Sequence, residues 1–212
     1  VSTSPYHPVP ARVATSADTD AIVAALTTAF FDDPMWGPAF PDVGRRAEQA
    51  AGLWRLLAGS ALRHPWTLVT EHVEAAALWI PPGASELAAE EESDLETFLV
   101  ELTDRPTADG ILRIFELLGD AQPSEPHFYL SLLATHDDHR GRGLGMGLLT
   151  ENLARIDALG EPAYLESCNP ANNARYERAG FTTLDTVTLD TGHVVTTMWR
   201  PARPARSDRP TP

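Results

Sequence analysis

The chain has 212 residues, 43% of them hydrophobic, and a formal net charge of −14. That length suits one domain, the apolar content excludes a disordered chain, and the acidity argues against nucleic acid, whose phosphates need a basic face. The longest strongly apolar run, Ala75 to Ile80, falls far short of the ~20 residues of a membrane span.

Residues 1–10 are rich in Pro and Ser, with no basic stretch leading into an apolar one, and read as a flexible tail rather than a signal peptide. A short strand follows near Ala11 to Ala14. Thr15 and Asp18 then form a capping-box pattern, and a helix is expected over Asp18 to Phe31 with Ile22, Leu26 and Phe30 on one face. Asp32-Asp33-Pro34 ends it. Met35 to Val43 reads as a loop carrying Trp36 and Phe40. A second helix, Arg45 to Arg63, places Ala50, Leu53, Trp54 and Leu57 at helical spacing. Two strands, Trp66 to Glu71 and Val73 to Ile80, are stopped by Pro81-Pro82-Gly83.

Ser85 to Gly119 reads as one or two helices. Their acidic residues, from Glu86 through Glu90, Glu91, Glu92, Asp94, Glu96 and Glu101 to Asp104, are expected on a solvated face. His127 to Thr135 is a strand, His136 to Gly145 a charged glycine-rich loop, and Gly145 to Leu159 a helix closed by Gly160. Ala163 to Ser167 is a buried strand. Pro170 to Ala179 is a short helix closed by Gly180. Thr182 to Leu189 and His193 to Trp199 pair as a hairpin, and residues 201–212 form a second Pro-rich tail. The domain therefore spans 11–200. Mixed strands and helices without a regular βαβ repeat indicate an α+β fold. The single cysteine, Cys168, excludes an intrachain disulfide and suits a cytoplasmic protein.

The loop Arg140-Gly141-Arg142-Gly143-Leu144-Gly145 lies between a strand and a helix, where bare backbone N–H groups can cradle a diphosphate. All 16 basic residues are arginine, so a P-loop, which needs lysine, is excluded. A dinucleotide fingerprint fails as well. Read from Gly141, Gly143 or Gly145, its third glycine falls on Met146, Leu148 or Thr150.

Arg140, Gly143 and Gly145 fit Gln/Arg-x-x-Gly-x-Gly/Ala, and Asn169 to Tyr176 followed by Gly180-Phe181 fits Asn-x6-Tyr-x3-Gly-Phe. With these two motifs in this order the sequence resembles the GCN5-related N-acetyltransferases (GNAT). Ala29-Phe30-Phe31-Asp32-Asp33-Pro34, Ala77-Leu78-Trp79 and Glu125 to Leu130 resemble the puromycin N-acetyltransferase type within that family.

The resemblance implies a curved mixed sheet of six or seven strands flanked by helices, with acetyl-CoA as co-substrate between the fourth and fifth strands. It implies that Arg140, Gly141, Arg142, Gly143, Leu144 and Gly145 hold the CoA pyrophosphate, chiefly by backbone N–H groups. Leu132, Leu133 and Ala134 would line the pantetheine, with Asn169 or Asn172 bonding its arm. Tyr176 would protonate the departing thiolate, and Glu166 is a candidate general base, with a structural role for its carboxylate equally open. Asp32, Trp36, Phe40 and Tyr129 are candidates for the acceptor side.

The implied acceptor is a primary amine of a small molecule, an aminonucleoside or another amine antibiotic among them. Peptide α-amino groups are the alternative, and an inactive acyl-CoA sensor is a third reading. No metal, nucleic-acid or membrane partner is expected, and the chain would be a monomer or homodimer.

Overall fold

A computed structural model describes residues 6, 7 and 9–203. Residues 204–212 of the expected C-terminal tail, and residues 1–5 and 8 of the N-terminal one, lie outside the described part. The strands are β1 (Ala11–Val13), β2 (Leu68–Thr70), β3 (Ala75–Ile80), β4 (Phe128–Thr135), β5 (Ala163–Ser167), β6 (Thr182–Thr188) and β7 (Val194–Arg200). The helices are α1 (Thr19–Phe30), α2 (Trp36–Ala39), α3 (Arg46–Ala61), α4 (Ala89–Leu102), α5 (Arg105–Ala121), α6 (Leu144–Leu159) and α7 (Asn173–Arg178). One seven-stranded sheet has the order β1-β2-β3-β4-β5-β7-β6, and every pair is antiparallel except β4 with β5.

β3 is buried along its whole length because helices cover both faces. Ala75, Ala77 and Trp79 meet Leu149, Leu153 and Ile156 of α6, whereas Ala76, Leu78 and Ile80 meet the α1 and α3 side with Leu26 and Trp54. The alanines let helices approach closely; the larger residues fill what remains. One expected boundary moves, and one open choice is decided. The loop after α1 contains a turn of helix, α2, because the Asp33 carboxylate accepts the N–H groups of Met35 and Trp36. The acidic stretch divides into α4 and α5 at Asp104, whose side chain caps α5 by accepting from the Thr107 N–H.

The feature that shapes the site is a bulge in β4. Leu132 pairs with Leu78 but Leu130 pairs with Trp79, so Ser131 is an extra residue. In a regular strand residues 128, 130, 132 and 134 would share one face. Here Phe128 and Leu130 pack with α6, while Leu132 and Ala134 pack on the opposite face. β4 and β5 stay paired only from Phe128 with Ala163 to Leu130 with Leu165. Beyond the bulge they part, leaving the β5-facing edge of Leu132 to Thr135 without a strand partner.

Candidate active site

A cleft of about 610 Å³ opens where β4 and β5 separate. One wall is the loop into α6. Gly141 and Gly143 take φ of 78° and 75°, a left-handed backbone that only glycine adopts without strain. A Cβ on Gly145 would lie 3.0 Å from the Thr135 hydroxyl, so a bare backbone lets α6 start against the end of β4. The first N–H groups of α6 have no intrahelical acceptor and carry its positive dipole end. Glycine loop, helix start and cleft together suit a diphosphate.

Leu133, Ala134, Arg140, Gly141, Gly143, Leu144, Gly145, Asn169, Asn172 and Tyr176 all line this cleft. The Leu132 side chain is buried in the core and leaves only its backbone for the open edge. Arg140 turns away from a phosphate position: its guanidinium pairs with Asp137 at 2.8 Å and donates to the Ala29 carbonyl, tying the loop to the end of α1. Arg142 is exposed beside His139. Asn169 caps the turn before α7 by accepting from the Ala171 N–H, and the Asn172 amide oxygen accepts from Arg175. Neither asparagine carbonyl is idle, and both side chains still border the cleft.

Tyr176 sits on α7 with its ring edge-on to Phe181. Burial first, then the nearby Cys168 thiol, pushes its phenol well above the usual range, so it stays protonated and can donate. Cys168 is held neutral by burial and by the charges of Asp33 and Glu166, which does not suit a nucleophile.

Glu166 lies on β5 opposite Thr197 of β7, just beyond the last residue paired with β4, and is not among the residues that line the cleft. Burial pushes its carboxyl up to about 8, the hydroxyls of Tyr129 and Tyr164 oppose that rise, and Glu86 adds to it. Its carboxyl and the Tyr164 hydroxyl are both buried and lie near enough to act on each other. A carboxyl poised near neutrality suits proton transfer.

The aromatic candidates divide. Tyr129 stands beside Tyr164, with ring centres 6.0 Å apart, in the Glu166 neighbourhood. Trp36 and Phe40 do not reach the cleft. They pack around Trp54, Trp36 edge-on at 5.0 Å, because α2 folds them onto α1 and α3. Of the two adjacent aspartates, Asp32 borders the cleft but its side chain is 90% exposed, near Arg46. Asp33 is the enclosed one, its carboxyl raised by burial.

Glu86 corrects the expectation of a solvated acidic face. It precedes α4, its carboxyl is enclosed and raised by burial, and it accepts a short hydrogen bond from the Ser131 hydroxyl. The sequence offered one overlooked signal: Ser131 is a lone polar residue in an otherwise apolar run from Leu130 to Ala134.

The sequence model of the acetyltransferase (GNAT) family matches residues 61–181, which contain β4, the glycine loop, β5 and Tyr176. The chain belongs to the GNAT acetyltransferase family. It is an acyl-CoA-dependent N-acetyltransferase. A Corynebacterium glutamicum structure described as histone acetyltransferase HPA2 and related acetyltransferase is 25% identical, with 96% of this chain and 98% of that one covered and a TM-score of 0.65. Arylalkylamine N-acetyltransferase 2 from Aedes aegypti is 13% identical over 90% of this chain and 97% of that one, with a TM-score of 0.57. Drosophila melanogaster polyamine N-acetyltransferase is 13% identical over 89% and 97%, with a TM-score of 0.56. These last two share the fold. Among the described residues of this GNAT protein, no helix is long and apolar enough to cross a membrane.

Proposed function

We propose that this GNAT enzyme moves the acetyl group of acetyl-CoA directly to a primary amine of a small molecule, an aminonucleoside or other amine antibiotic among the candidates. The observation that carries the reading is the splay of β4 from β5, which brings the glycine loop, the open edge of β4 and Tyr176 to one cleft, with the raised Glu166 carboxyl on β5 where the two strands part. The thioester supplies the activated acetyl group. The N–H groups of Gly143, Leu144 and Gly145 hold the diphosphate. The free edge at Leu133 and Ala134 aligns the pantetheine arm and offers an N–H to the acetyl oxygen. Asn169 and Asn172 border that arm.

Glu166 takes the proton that the attacking nitrogen loses. The new C–N bond forms as the C–S bond breaks, and the Tyr176 hydroxyl returns a proton to sulfur. Asp33, rather than the exposed Asp32, lends the negative charge that favours a cationic acceptor beside Tyr176. The resemblance of the Ala29–Pro34 and Glu125–Leu130 segments to the puromycin N-acetyltransferase type supports the antibiotic subclass. The names of the polyamine and arylalkylamine relatives support small amines in general. The reading extends to a single domain over 11–200, cytoplasmic, monomeric or homodimeric, acting without metal.

The test is thiol release from acetyl-CoA across a panel of puromycin-like aminonucleosides, aminoglycosides, alkylamines and short peptides. Amine-dependent release with a small molecule supports the proposal. Release with peptides alone would move it to α-amino groups, and binding of acetyl-CoA without any transfer would leave a sensor.

A further inference from the structure

Ahead of β1 the chain is pinned to two helices. Val9 packs on the apolar cluster of α6, which Leu144, Met146 and Tyr176 also border. Gly147 makes the room for it: a Cβ there would lie 2.5 Å from Val9 Cγ1 and 3.1 Å from the His7 carbonyl oxygen. Tyr6 then reaches α7. Its hydroxyl accepts from Arg178 Nε at 3.2 Å, and the Arg178 guanidinium stands 5.9 Å from its ring centre. Between these two anchors Tyr6 lines the cleft, together with Met146 of α6 and Arg175 and Tyr176 of α7. It lies outside residues 61–181, which match the family model, and outside both sequence motifs.

We infer that Tyr6 is a residue of the acyl-CoA site, its ring closing the cleft over the pantetheine arm. The diphosphate cradle is on α6, at Gly143 to Gly145, and Tyr176 stands at the thioester on α7. A ligand that joins those two points passes between the helices, where the Tyr6 ring lies. In acyl-CoA the joining piece is pantetheine, an uncharged chain of amides, methylenes and paired methyl groups. A phenol face covers its apolar surface while the hydroxyl stays with Arg178. The adenosine half leaves the diphosphate on the side away from Tyr176 and does not meet the ring. Gly147, Val9 and Arg178 are positioning residues that hold Tyr6 in place. The inference rests on the cleft being the acyl-CoA site, and not on which amine is acetylated.

The experiment titrates the full chain, by calorimetry, with acetyl-CoA and with its two halves, S-acetyl-4′-phosphopantetheine and adenosine 3′,5′-bisphosphate. Tyr6→Ala should weaken acetyl-CoA and the phosphopantetheine by about tenfold each, as expected for an aromatic face taken out of water, and leave the bisphosphate within about twofold. Tyr6→Phe keeps the ring over the cleft and its contact with the Arg178 guanidinium, and should recover most of the loss. Gly147→Ala is favourable to the helix itself but displaces Val9, so it should weaken the same two ligands with Tyr6 still in the sequence. Affinities in Tyr6→Ala equal to wild type, a loss confined to adenosine 3′,5′-bisphosphate, or tighter binding once the ring is gone would each overturn this inference alone. A wild-type chain that binds neither acetyl-CoA nor its halves would overturn the reading of the cleft with it.

Discussion

One phenol and one pair of adjacent aspartates separate function from packing at the level of single residues. Tyr176 keeps its proton because burial disfavours the phenolate, so Tyr176→Phe removes an acid and little volume. We expect kcat to fall about a hundredfold or more with CoA affinity nearly unchanged, read by steady-state kinetics beside calorimetry. Unchanged kcat would assign the leaving-group proton to another donor. The adjacent aspartates give the second contrast. Asp33 accepts two backbone N–H groups at the start of α2 and also lines the cleft, whereas the Asp32 side chain is 90% exposed. Asp33→Asn keeps a capping oxygen and loses the charge; Asp33→Ala loses both, at about 1 kcal/mol of stability. The amine KM should rise several-fold in Asp33→Asn and stay within twofold in Asp32→Asn. Equal effects at the two positions would mean that the charge acts from a distance rather than from the cleft wall. Sequence spacing could find Tyr176, because a motif fixes its distance from Asn169. It could not choose between Asp32 and Asp33, which differ only in how the chain turns after α1.

The bulge at Ser131 organises the site at the level of elements. It flips Leu132 to Ala134 relative to Leu130, opens the edge of β4, and places the hydroxyl that holds Glu86. Deleting Ser131 would remove the bulge, leave Leu132, Leu133, Ala134 and Thr135 on their present faces, and let β4 run on beside β5 so that the open edge closes. Loss of CoA binding by a protein that still folds should follow, by ligand titration and calorimetry; Ser131→Ala, which keeps the bulge, should retain CoA binding. If the deletion binds CoA normally, the bulge does not shape the cleft. The strands and helices around this point were legible because apolar periodicity and glycine stops mark them, as at Gly143 and Gly160, both with positive φ. The bulge was not, because β4 is apolar on both faces and alternation carries no register there. Trp36 and Phe40 misled for a related reason. A loop aromatic looks available to ligand until a side-chain cap, here from Asp33, winds the loop into α2 and turns both rings inward.

For the whole molecule, the buried acids tie activity and stability to the same proton. Burial raises Glu166 to about 8 and raises Glu86 and Asp33 as well. The native state therefore keeps protons that the unfolded chain releases near pH 4–4.5. That contribution is fully present below those unfolded values and is lost as pH rises toward 8. Asp18, beside Arg12, runs the other way: its carboxyl is held low, and its contribution is lost only in acid. The two opposing slopes place maximum stability on the acid side of neutrality. Between pH 6 and pH 8 Glu166 alone should cost about 2–3 kcal/mol, or roughly 5–10 °C in thermal midpoint. Glu166→Gln should flatten that slope, which differential scanning calorimetry across pH would read. The same ionisation creates the base, so kcat/KM should climb through the interval in which the protein loses stability. Coincident midpoints near 8, both abolished in Glu166→Gln, would identify one carboxyl as the source of both. If the rate midpoint persists in that variant while the stability slope disappears, the base lies elsewhere, and Asp33, the enclosed carboxylate that lines the cleft, is the group to test next.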